Sequence, residues 1–118
     1  MVRGCRTWEQ VIGQVCKLIC QEGFVMTLGI ATIQVDNERT RVTEWRFAPG
    51  AETGEHIHEH DYVVVPGMDG LLKIVDPEGH ETFAEMKEGV SYFREKGVHH
   101  NVINANDFEY YFVEVEFK

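Results

Sequence analysis

From Ile30 to Lys118 the chain is a succession of short β-forming segments, each closed by turn residues before a helix could develop. Residues 30–35, 40–48, 56–65, 70–75, 80–85, 90–94, 98–103 and 108–117 are rich in Val, Ile, Thr, Tyr and Phe, whose branched or aromatic side chains suit a pleated surface. Turn chemistry separates them at Asp36-Asn37, Pro49-Gly50, Pro66-Gly67, Asp69-Gly70, Asp76-Pro77-Glu78-Gly79, Glu88-Gly89, Lys96-Gly97 and residues 104–107. A parallel α/β sheet needs long crossover helices between its strands, and these gaps leave no space for them. The pattern predicts an all-β fold over residues 30–118, a sandwich or jelly-roll barrel of about eight strands. In the last segment Val113, Val115 and Phe117 alternate with Glu114 and Glu116, which predicts the apolar set buried and the two acids wet.

Residues 1–29 read differently, as a helical extension. Thr7 is a candidate N-cap with Gln10 completing a capping box, and Trp8, Val11, Ile12, Val15, Cys16, Leu18 and Ile19 recur at helical spacing until Gly23. An amphipathic helix is expected over residues 8–22. Its apolar stripe is wide, so it must lie on its own barrel or on a neighbouring subunit. A homodimer is the expected assembly, because open barrel edges and such a stripe both invite pairing. Cys5, Cys16 and Cys20 are odd in number and lie far from every turn a disulfide framework would staple, so reduced thiols are expected. No third thiol or histidine stands at a spacing that would make Cys16 and Cys20 a metal site.

A chain of 118 residues fits one domain, so any active site must lie inside or at the mouth of a single core. Eleven Lys and Arg against twenty Asp and Glu give a formal charge of −9, which repels phosphate backbones and anionic lipid. Neither nucleic acid nor a membrane is an expected partner. The first residues lack the features of a signal peptide, and no apolar run approaches a membrane span. The expectation is a soluble, cytoplasmic protein whose partner is a small-molecule substrate.

Five of the six histidines fall in two short windows, His56-Ile57-His58-Glu59-His60 and His99-His100. On a strand over 56–65, His56, His58, His60 and Tyr62 share one face. Two imidazoles so placed converge on one ion, and a third from a neighbouring strand, with His100 the natural candidate, leaves positions open for water or substrate. A histidine in a strand is also commonly a packed or solvent-facing residue, and spacing alone leaves both readings open.

The spacing of the glycines narrows the choice. Gly50, five residues, His56, one residue, His58 and three residues to Tyr62 follow the pattern G-x5-H-x-H-x3,4-E-x6-G up to its Glu. Gly89, five residues, Glu95, one residue, Gly97, two residues, His100, three residues and Asn104 follow G-x5-P-x-G-x2-H-x3-N. These are the two motifs of the cupin superfamily, which residues 30–118 therefore resemble. Within that span, residues 43–50, 61–66 and 97–104 are similar to small single-domain cupins of the β-alanine degradation protein type.

The resemblance implies a single-domain cupin jelly-roll barrel in which His56, His58 and His100 hold one divalent metal ion, Fe, Zn, Mn or Ni, while Gly50, Gly89, Gly97 and Asn104 take turn and strand-end positions. Three positions depart from the family pattern. Tyr62 stands where the Glu ligand is usual, Asp69 stands at the closing glycine with Gly70 one residue on, and Glu95 replaces the proline. Tyr62 is the candidate catalytic residue. A phenol ligates only if the metal lowers its pKa from about 10, but it readily donates a hydrogen bond to bound water, dioxygen or substrate. Its similarity in this respect to the thiol dioxygenases of the superfamily, which also lack the Glu, favours oxygenation. His60 is open to three readings, a further metal ligand, a proton shuttle or a rim residue, with the rim as default. His99 is expected to point away from the metal and His80 to be exposed. Glu52, Glu55, Glu59 and Asp61 are read as a solvated outer face, and Trp45, Phe47, Phe93, Tyr111 and Phe112 as barrel filling, with a place in the pocket lining left open for some of them. The leading expectation is a metal-dependent enzyme, an oxygenase acting on a small organic acid or related metabolite. The alternative is a non-enzymatic small-molecule or metal-binding module.

Overall fold

The computed structural model of the protein describes residues 27–118, so the helix expected over residues 8–22 lies outside the described residues. The strands of this region are β1 (Ile30–Asp36), β2 (Thr40–Phe47), β3 (His56–Ile57), β4 (Asp61–Pro66), β5 (Gly70–Val75), β6 (Glu81–Met86), β7 (Tyr92–Arg94), β8 (His99–Asn104) and β9 (Tyr110–Phe117). They form two sheets, one in the order β6-β5-β8-β3 and the other in the order β7-β4-β9-β2-β1. Each neighbouring pair in these two sheets runs antiparallel. No helix occurs among the described residues. The result is the all-β jelly-roll barrel that the segment pattern predicts.

Turn side chains stop the strands where the sequence places them. At the β1–β2 turn, Asn37 Oδ1 accepts hydrogen bonds from the amides of Arg39 and Thr40, each 2.9 Å long. At the β5–β6 turn, Asp76 Oδ1 does the same for Glu78 at 3.0 Å and His80 at 2.9 Å. Each short carboxamide or carboxylate satisfies amides that the reversing backbone leaves without strand partners.

The core lies between the sheets, built from Trp45, Phe47, Val64, Leu72, Met86, Tyr110 and Phe112 among others. Asn104 is 2% exposed within it. Its Nδ2 donates toward the carbonyls of Phe47, Ala48 and Phe108 at 3.2, 3.1 and 2.9 Å, while its Oδ1 accepts from the Asn106 amide at 2.9 Å. One buried carboxamide thereby ties the end of β2 to the loop before β9. A buried amide is tolerated only when its donors and acceptors are used, as they are here.

Three expectations change. The segment 56–65 is not one strand: β3 pairs with β8 in the first sheet, whereas β4 pairs with β7 and β9 in the second. The chain changes sheets across residues 58–60, which breaks the simple alternation on which His60 was grouped with His56 and His58. The facing of β9 is the reverse of that expected. Tyr110, Phe112, Glu114 and Glu116 are buried, Val113 and Val115 are half-buried, and Phe117 is exposed. Hydropathy assigns the acids to water, but the barrel interior is itself polar at this end. The same facing puts Tyr111 outside, where the Arg46 guanidinium lies over its ring at 4.4 Å, and Phe93 on β7 is likewise exposed rather than barrel filling.

Candidate metal centre

The three motif histidines come together by two different routes. His56 and His100 are direct cross-strand partners on β3 and β8. His58 lies just past β3, and its backbone is held at both ends: its amide donates to the Val98 carbonyl at 2.9 Å, and its carbonyl accepts from the Gly97 amide at 2.8 Å. Gly97 has φ +99°, a left-handed conformation that costs a glycine little and lets its amide face His58. The loop before β3 is tied to β8 as well. Asn101 Oδ1 accepts from the Gly54 amide at 2.9 Å, and Thr53 Oγ1 accepts from the Val102 amide at 3.1 Å.

The ring nitrogens converge. His58 Nε2 is 3.1 Å from His56 Nε2 and 3.2 Å from His100 Nε2. Two nitrogen ligands at right angles, each about 2.1 Å from one ion, stand about 3 Å apart. His56 Nδ1 lies 2.8 Å from the Gly54 carbonyl, which can only accept, so Nδ1 carries the proton and Nε2 presents a lone pair. Burial is the largest cause of a lowered pKa at all three rings. His58 falls to about 3, with its two neighbours adding to the effect, and His100 to about 4. His56 is lowered as well. Neutral imidazoles with converging lone pairs are what a divalent ion requires.

These histidines line a cavity of about 390 Å³ between the sheets. Tyr62 is buried in its wall, with its ring stacked on that of His58 at a centroid distance of 3.9 Å and an interplanar angle of 14°. Burial first, and then the charge of Glu114, push its phenol pKa upward, so the hydroxyl keeps its proton. His60 is not among the described residues that line the cavity. His99 turns away to Glu55, with Nε2 2.6 Å from Oε2, and His80 is exposed beside Asp76. Of the flanking acids, Glu59 is exposed at the cavity lining, while Asp61 Oδ1 accepts from the Lys96 amide at 2.8 Å.

Sequence reasoning missed the acids across the cavity. Glu114, 9% exposed, brings Oε2 to 4.0 Å from His58 Nε2. Since His58 is neutral, this is not an ion pair. Burial, and then Glu116, push the Glu114 carboxyl up to about 7, while the Trp45 side chain offsets part of the shift by hydrogen bonding to it. Glu116 is engaged by Arg41, whose Nε donates to Oε1 at 2.7 Å. His58, Glu114 and Glu116 form a second group whose ligand atoms lie within 4.8 Å of one another. A buried acid next to a neutral triad, with the neighbouring cation already engaged, gives the cavity a charge that suits a divalent ion. The missed signal is one of register. Glu116 pairs with both Arg41 and Tyr62, and Tyr62 carries the inward facing.

A two-sheet barrel with a histidine triad at its mouth, arranged on the two gapped motifs, is the architecture of a cupin, and the chain belongs to that family. It is similar to the β-alanine degradation protein BauB of Pseudomonas aeruginosa, with 58% identity over 89 residues that cover 75% of this chain and 93% of that protein. Among solved structures, a cupin domain from Bordetella pertussis Tohama I is 54% identical with a TM-score of 0.76, covering 79% of this chain and 96% of its own. A conserved protein with a double-stranded β-helix domain from Klebsiella pneumoniae shares the fold at 22% identity and a TM-score of 0.62, covering 75% of each chain. No family model matches the chain.

Proposed function

We propose that this cupin is a metal-dependent enzyme, an oxygenase that uses dioxygen as oxidant, acting on a small organic acid or related metabolite in the barrel cavity. The observation that carries this reading is the convergence of three neutral imidazole nitrogens, 3.1 and 3.2 Å apart, on an open cavity. His56, His58 and His100 would hold the ion, which would supply Lewis acidity and, as iron, redox chemistry. With three protein ligands, such an ion would keep positions for water or substrate. The name of the Pseudomonas relative assigns that protein to β-alanine degradation, which supports a substrate of a few carbon atoms.

The chain's own residues have distinct tasks. The Gly54 carbonyl fixes the tautomer of His56. Tyr62 fixes the plane of His58 by stacking, and its protonated phenol is available to donate a hydrogen bond to a substrate oxygen. Ile33, Ile57 and Ile74 line the cavity with apolar surface, which limits water around the substrate.

Protein purified without an affinity tag should contain about one equivalent of a divalent metal by elemental analysis, and a His56→Ala, His58→Ala double variant should contain none. After anaerobic loading with Fe(II), oxygen uptake should depend on a small carboxylic acid. Stoichiometric metal in the double variant would exclude the triad as the site. A chelator-sensitive melting temperature with no turnover across a broad acid panel would instead assign the protein to non-enzymatic binding.

A further inference from the structure

We propose that Arg41 is the anchor for the acid end of the substrate and that Glu116 is the residue that positions it. The inference rests on the reading above, that the cavity serves a small molecule beside the triad, and it adds the group that selects that molecule.

Arg41 is on β2, where Thr43, Trp45 and Phe47 are the buried positions, so alternation directs it to the same interior face. It is the one Lys or Arg among the described residues lining the cavity. Its side chain is 31% exposed, at the rim rather than in the depths. Glu116 holds it by one edge only, through Nε to Oε1 at 2.7 Å. Among the described residues the terminal nitrogens, which form the edge suited to a second carboxylate, make no hydrogen bond inside the chain. A guanidinium restrained at Nε and open at its terminal nitrogens is pre-organised for a planar, two-oxygen anion, and less side-chain entropy is lost when that anion binds.

The distance scale follows from the same pair. Glu116 is a member of the group in which a ring nitrogen of His58 and carboxylate oxygens of Glu114 and Glu116 lie within 4.8 Å of one another, and it also bonds Arg41. One carboxylate side chain therefore bridges the guanidinium and the triad. A molecule touching both is limited to a few carbons, with a carboxylate at one end and a second polar group at the other. Of the acids lining the cavity, Glu114 is hydrogen-bonded by Trp45, Glu116 is neutralised by Arg41, and Glu59, whose charge also acts on Arg41, is exposed to solvent. A divalent ion held by the triad would make the cavity attractive to an anion.

The test is calorimetric titration of the protein as purified, with its metal content measured in parallel, using propionate, 3-hydroxypropionate and the uncharged propionamide. The intact protein should bind the two carboxylates at least about tenfold more tightly than the amide. Arg41→Ala should remove that preference, Arg41→Lys should keep part of it, and Glu116→Gln should weaken it, all with metal content and circular dichroism unchanged. Carboxylate affinity in Arg41→Ala within twofold of the intact protein, or no preference for carboxylate over amide in the intact protein, would overturn the proposal. Absence of metal from the intact protein would count against the proposed function instead, and the carboxylate preference would still be read from the same titration.

Discussion

The two ends of β9 share one inward face and carry opposite chemistry. At the first end, Tyr110 and Phe112 pack against Phe47 and the rest of the apolar core, and the Tyr110 hydroxyl reaches the Met68 carbonyl at 2.9 Å. At the other, Glu114 and Glu116 face the histidine triad. At the apolar end the Tyr110 hydroxyl has its acceptor within the chain, and Phe112 offers the cavity only apolar surface. The acidic end is satisfied only in part, through Trp45 and Arg41, and keeps binding capacity at a cost in stability. Along one strand, then, facing is set by position in the barrel, whereas residue type is set by what occupies the space in front of it.

Substitutions at the two ends should separate stability from binding. Tyr110→Ala should cost about 3–5 kcal/mol in urea unfolding, since it empties a fully buried aromatic site, while the folded fraction keeps its metal stoichiometry. Loss of metal in that folded fraction would show that the ends are coupled. Asn104→Ala should cost about 1–3 kcal/mol, because it leaves the carbonyls it serves without their donor, again with metal retained.

Glu114→Gln should act in the opposite sense on metal-free protein. The folded carboxyl has a pKa raised from 4.5 to about 7, so the folded state holds its proton over a range where the unfolded chain has released it. Stability is therefore lost as pH rises from 4.5 through about 7, and the amide escapes that loss. Chelator-treated variant should exceed the parent by on the order of 1 kcal/mol at pH 8, with a smaller gain at pH 5. A gain of equal size at both pH values would mean that the acid's charge is not its source.

The fold was legible because most strand boundaries carry their own local signal. Asn37 and Asp76 cap turns that can be read from a few residues. The triad was legible because glycine spacing fixes where the histidines stand, and Gly97 does hold His58 by its backbone. The acids were not legible. Alternation along β9 is compatible with either facing, and an acid beside valines looks wet until it is known that Glu116 sits between Arg41 and Tyr62. The place of His60 was lost for a related reason: a change of sheet within 58–60 leaves no mark in residue types.

The shortest strand governs how the centre exchanges its contents. β3 has two residues, lies at the end of its sheet, and among the described residues pairs only with β8. Releasing His56 therefore requires a small fray at one margin rather than separation of the sheets, and such local openings cost far less than global unfolding. If the triad holds a metal as proposed, its loading and loss should be fast on the timescale of unfolding, and stripping and refilling should leave the circular dichroism of the barrel unchanged.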